Sequence, residues 1–122
     1  MELEGFELFK EHGRSFNPKI SIRKRGQIGF NNGAINRCNL DKYGYVKLYY
    51  NKDAKMIAFK FTNDPKEEGA IKIQKRPSNY FFSGKSFLDY YSINYSETET
   101  FDLDWDEDRK VAMIDIKKHT EE

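Results

Sequence analysis

Apolar and polar residues alternate along two stretches of this chain that align without a gap, 45–61 and 100–116. In the first, Val46, Leu48 and Tyr50 alternate with outward neighbours, the polar run Asn51-Lys52-Asp53-Ala54-Lys55 follows, and Ile57, Phe59 and Phe61 resume the pattern. The second places Phe101, Leu103 and Trp105, then Asp106-Glu107-Asp108-Arg109-Lys110, then Ala112, Ile114 and Ile116 at the same positions. A period of two with a polar interruption predicts a hairpin of half-buried strands. A second similarity precedes each hairpin. Ile20-Ser21-Ile22-Arg23-Lys24-Arg25 recurs as Ile71-Lys72-Ile73-Gln74-Lys75-Arg76, followed by Gly26 or Pro77 and by a short strand-prone piece, 27–30 or 79–82. Polar, glycine-containing helix starts come next, Asn31-Asn32-Gly33 and Ser83-Gly84-Lys85. Each predicted helix has one short apolar face, Ala34, Ile35 and Cys38 or Phe87, Leu88 and Tyr91.

The pattern therefore predicts two β-β-α-β-β repeats, 18–61 and 70–117, joined by a polar linker at 62–69 and flanked by an N-terminal arm, 1–17, and a tail, 118–122. A unit of that size buries too little apolar surface to stand alone. The expected fold is α+β, mostly β, with the two repeats packed as one pseudo-twofold domain. Four consecutive strands, 45–50, 56–61, 70–76 and 79–82, followed by a helix, leave a different arrangement open: a single sheet with a helix against it.

Length agrees with one domain, since 122 residues leave no room for a second. One cysteine, Cys38, makes no internal disulfide and completes no zinc set; on the apolar face of helix one it reads as a small buried thiol. The acidic start MELEG lacks the apolar run of a signal peptide, and no stretch approaches a membrane span, so the expected location is cytoplasmic with no membrane partner. The net charge of +1 argues at first against a nucleic-acid partner. It conceals a division: residues 10–86 hold 17 basic and 6 acidic groups, residues 87–122 hold 4 and 11. A partner responds to local potential within a Debye length, so the division carries more information than the total.

Read from Ile20 to Ile28, then helix 34–40, then Asp41-Lys42-Tyr43-Gly44-Tyr45-Val46-Lys47-Leu48, the first repeat resembles the AbrB, SpoVT and MazE type of swapped-hairpin DNA-binding proteins. Two such units in one chain resemble the tandem arrangement of MraZ proteins. The family's proline at the helix start is Asn31 here and Ser83 in the second copy, its Gly-Asp turn is Gly44-Tyr45, and Pro77 stands where the first copy has Gly26. The resemblance implies an AbrB-like barrel and duplex DNA binding. The four-strand order with its helix is similar to Whirly-type single-strand-binding proteins, which implies a basic, aromatic stacking surface. The whole chain also resembles a group of bacterial hypothetical proteins, a likeness that implies no function.

The expected function is a DNA-binding transcriptional regulator. Arg23, Lys24, Arg25, Lys72, Lys75 and Arg76 would neutralise phosphates from the first strand of each repeat, the two strands lying together as one basic patch, with Arg37 and Lys85 adding contacts near the helices. In a single-strand reading, Tyr43, Tyr45 and Tyr49 stack on bases. In a third reading, from another class, Asp102, Asp104 and Asp106 of the second hairpin bind a basic protein. Those aspartates have calcium-loop spacing, but Glu107 and Met113 stand where glycine and glutamate are needed, so they read as a strand face. Gly84-Lys85-Ser86 lacks the earlier glycine of a phosphate loop, because Asn79 occupies that place. His12 and His119 have no catalytic partners. The reading is of a non-enzyme without cofactor or metal, a monomeric pseudo-dimer or a homodimer.

Overall fold

A computed structural model describes residues 17–77 and 79–117. The apolar strip Phe6, Leu8 and Phe9 of the N-terminal arm, both histidines and the tail from 118 lie outside the described residues. The described chain is α+β, mostly strand, in the order β1 (Lys19–Ile22), β2 (Gln27–Phe30), α1 (Asn32–Cys38), β3 (Tyr45–Asn51), β4 (Met56–Thr62), β5 (Ile71–Lys72), β6 (Gln74–Arg76), β7 (Asn79–Ser83), α2 (Lys85–Tyr90), β8 (Glu99–Asp102), β9 (Asp104–Asp106) and β10 (Val111–Asp115). Among the described residues no helix is long and apolar enough to cross a membrane.

The strands form two five-stranded antiparallel sheets, β6-β7-β2-β1-β8 and β5-β3-β4-β10-β9. Two segments that the alternation predicts as single strands change sheet partway. One passes from β5 in sheet two to β6 in sheet one at Ile73, whose N–H donates to the Gly44 carbonyl at 2.9 Å. The other passes from β8 in sheet one to β9 in sheet two at Leu103, whose N–H donates to the Pro18 carbonyl at 3.0 Å. Both turning residues are apolar and buried. Each bent segment thus edges both sheets, so continuous chain joins the two sheets at both edges. The alternative arrangement fails here: β3 and β4 belong to sheet two, β7 to sheet one, and the segment between them divides, so 45–82 makes no single four-stranded sheet.

The core lies between the sheets. Ile20, Ile22, Ile28, Phe30 and Phe82 face inward from sheet one, and Val46, Ile57, Phe59, Phe61, Ala112 and Ile114 from sheet two. Phe30 joins the layers edge-on, with ring centroids 6.0 Å from Phe59 and 5.8 Å from Phe61. The helices add Ala34 and Cys38, and Leu88 with the following Ile93. Asn31 caps α1: its Oδ1 accepts from Ala34 N at 2.9 Å and from Lys19 N at 3.0 Å. The helix ends at Cys38, earlier than the expected 34–40, because Asn39 turns left-handed (φ 54°) and starts a 3-10 turn, Leu40–Lys42.

Candidate nucleic-acid interface

Period two sorts every strand residue onto an inner or an outer face. On sheet one, Arg23 continues the outward row of Lys19 and Ser21, with Gln27 and Gly29 outward on β2, Asn79, Phe81 and Ser83 on β7, and Gln74 and Arg76 on β6. The two arginines come from different hairpins, and β2 and β7 lie between their strands. The basic strands are thus not adjacent, contrary to the expectation of a patch built by their lying together.

The arginine side chains nevertheless reach a common place. Arg23 extends across Gly29 to Asn79, donating from Nη1 to Gln27 Oε1 at 2.9 Å and from Nη2 to Asn79 Oδ1 at 3.2 Å. Gly29 is required by this approach, since a β-carbon there would stand 2.4 Å from Nη2 and 2.7 Å from the guanidinium carbon. Asn79 is the cross-strand partner of Arg76, and Phe81 that of Gly29. Arg76 lies over the Phe81 ring, 5.8 Å from its centroid. One guanidinium group thus lies over Phe81 and the other over Gly29, the cross-strand partner of Phe81, on the outer face of sheet one. Among the described residues neither arginine has a carboxylate partner; amides and a π-face hold them, which fixes their direction without cancelling their charge. The one acidic outward residue of this sheet, Asp102, is engaged by Lys19 at 2.8 Å.

The other predicted cations are dispersed. Lys24 and Arg25 lie in the exposed β1–β2 turn, where Lys24 N donates to Thr98 Oγ1 beside the acidic residues Glu97 and Glu99. Lys75 points to the opposite side of β6 from Arg76, its Nζ 5.4 Å from the Tyr80 centroid and donating to the Asp41 carbonyl at 3.2 Å. Lys72 belongs to sheet two and is paired in register with Tyr45. Arg37 is exposed in the last turn of α1. Lys85 donates to Tyr95 Oη at 3.0 Å and to Asp89 at 3.1 Å; those bonds raise its pKa, and the matching bonds from Tyr95 and Lys85 lower that of Asp89.

The predicted stacking tyrosines also lie elsewhere. Tyr43 is half-buried and packs on Phe61 with centroids 6.1 Å apart, so it belongs to the core. Tyr45 and Tyr49 are on the outer face of sheet two, away from both arginines, because β3 pairs there with β4 and β5. The aspartate trio is divided by the turn at Leu103: Asp102 lies on sheet one, Asp104 and Asp106 on sheet two. Among the described residues no group of three potential ligands could hold a metal. Cys38 is buried, and burial pushes its thiol up to about 12 against a smaller opposing effect of Arg37.

Sequence reading missed Phe81, Asn79, Gln27 and Gly29. Phe81 stands in the run Tyr80-Phe81-Phe82, where three aromatics in succession conceal which one faces outward. Gly29 offered the one usable signal, a glycine inside a strand, which marks a close approach by another group. Comparisons with protein-family models, with curated proteins and with solved structures found no match to this chain.

Proposed function

We propose that this chain is a DNA-binding regulator of the AbrB-like swapped-hairpin type, engaging nucleic acid through the outer face of sheet one. The observation that carries the reading is the convergence of Arg23 and Arg76 on that face, oriented by neutral groups and with no carboxylate partner among the described residues. Guanidinium groups so held are fitted to phosphate oxygens or to guanine edges.

The repeat part of the proposal is supported by the register. Under the alignment of 45–61 with 100–116, the pair Lys60–Val111 exchanges with Asp115–Met56 while Ala58–Met113 maps on itself. Under the alignment of 27–30 with 79–82, Ile28–Phe82 exchanges with Tyr80–Phe30. The second hairpin turns agree too. Lys55 and Lys110 are both left-handed at φ 58°, and Asn51 and Asp106 accept from the third residue after them. Each half also contributes strands to both sheets, the interleaving that a swapped hairpin implies. The first strands need one amendment. Arg23 and Gln27 close the first hairpin, and Arg76 and Asn79 the second, so the counterpart of Arg23 is Arg76 rather than Gln74.

A second reading, single-strand binding, is favoured by Phe81, whose half-exposed ring on the same face offers a base a stacking partner. Fluorescence anisotropy with duplex and single-stranded oligonucleotides over a salt series tests both. Duplex binding should weaken steeply with salt, and Arg23→Ala or Arg76→Ala should each flatten the log–log slope by about one. A single-strand preference lost with Phe81→Ala favours stacking. No binding to either form at low salt overturns both readings.

A further inference from the structure

Sheet two has an outer face of unusual composition. Its central outward positions are Met56 and Ala58 on β4 and Val111 and Met113 on β10, with Tyr49, 47% exposed, next to them on β3. A strand face that met only water would carry polar residues there. The charges divide between the two halves of the sheet, with Lys60 on β4 opposite Val111 and Asp115 on β10 opposite Met56 at the two ends of this strip. Lys72, Lys47 and Lys60 lie on β5, β3 and β4, with Glu67 of the adjacent loop bonded to Lys47 at 2.9 Å. Asp104, Asp106 and Asp115 lie on β9 and β10, with Arg109 3.5 Å from Asp106. After each internal pairing the first side remains positive and the second negative.

We infer that this face is a homodimer interface, occupied by a second copy of the chain. A twofold axis in the plane of contact and parallel to the strands turns the positive side of one copy over the negative side of the other. The same rotation, passing between β4 and β10, sets Met113 of each copy against Ala58 of the other, a long flexible side chain against a short one. Face-to-face sheet packing then buries the apolar strip and the Tyr49 rings. Isologous contact sets Lys47 over Asp106 of the second copy and Lys60 diagonally beside Asp104 and Asp106 of that copy, and repeats both arrangements at the symmetry-related place, as self-complementary patches do. The sheet-one arginines remain outside the contact, because they project from the opposite sheet. The inference therefore stands independently of what sheet one binds.

Lys60 and Asp104 suit the test, because among the described residues neither makes a side-chain hydrogen bond or ion pair. Sedimentation velocity on the full chain, from about 1 to about 100 µM, should show a reversible dimer that salt weakens. Lys60→Glu and Asp104→Lys should each weaken self-association by about tenfold or more, since each places like charges across the twofold. An equimolar mixture of the two variants should regain a heterodimer of near-native affinity, a recovery that misfolded chains would not give. A wild-type monomer up to about 100 µM, or a dimer indifferent to both variants, overturns the inference. So does a monomer whose negative side binds polylysine in an Asp104-dependent way, which would assign the face to a basic partner.

Discussion

Arg23 shows how one missing β-carbon sets the direction of a charge. Its guanidinium lies over Gly29 and donates to the amide oxygens of Gln27 and Asn79 only because nothing projects from that position. Gly29→Ala should displace the guanidinium and lower nucleic-acid affinity while changing stability by less than about 1 kcal/mol, because the group that moves is the far end of a flexible, partly exposed side chain. Anisotropy alongside a chemical-denaturation curve separates the two effects. A different residue-scale expectation concerns Cys38. With its thiol pushed up to about 12, a thiol reagent at pH 8 should label it only as fast as the chain opens. An ion pair of 2.9 Å between Lys47 and Glu67 ties the 63–70 loop to β3. Glu67 is lowered, first by the Thr62 hydroxyl and then by Lys47, so its contribution is present above the ordinary value of 4.5 and fades as the pH falls through its lower folded value. Lys47 is raised by Glu67, so its contribution is complete below 10.5 and fades as the pH climbs through its higher folded value. A pH series of proton spectra should show the 63–70 loop loosening at both extremes before the sheets do.

Elements carried most of what the sequence made legible. Alternation located both second hairpins, and the polar runs 51–55 and 106–110 matched turns that close with the same left-handed lysine. Asn31 was readable as a helix start, but its full role was not, because bonds to Lys19 N and to the Asn17 carbonyl depend on β1 lying beside it. Asn31→Ala therefore removes a cap and a strand tie together and should cost about 2 kcal/mol in urea denaturation, more than the roughly 1 kcal/mol of an ordinary cap. The sheet changes at Ile73 and Leu103 left no mark in the chain. An apolar residue at the corner faces inward in both sheets, so the period of two continues across the bend, and no glycine or proline announces it. That silence explains why three aspartates at alternate positions read as one face. The turn at Gly26 was legible in kind but not in consequence: at φ 86°, with Lys85 Cβ 2.8 Å from where its own would be, Gly26 closes the first hairpin against the start of α2.

At the scale of the molecule, the near-neutral total charge resolves into separate surfaces: two arginines held by neutral groups outside sheet one, and, among the described residues, a positive and a negative side outside sheet two. Neither surface was visible as a unit in the sequence, since each is assembled from both halves of the chain. The sharing of both sheets between the two halves of the chain has a further consequence for the polypeptide as a thread. Cutting the chain within the exposed 63–70 loop leaves β1 to β4 on one fragment and β5 to β10 on the other. The pairs β1–β8, β2–β7, β3–β5 and β4–β10 then become contacts between fragments. A chain nicked between Glu68 and Gly69 should stay intact in native sedimentation and separate only in denaturant. The two pieces produced apart should each be unfolded and regain the sheets on mixing. The loop is thus a seam at which the protein should split into a complementing pair, held together by the shared sheets and the core between them.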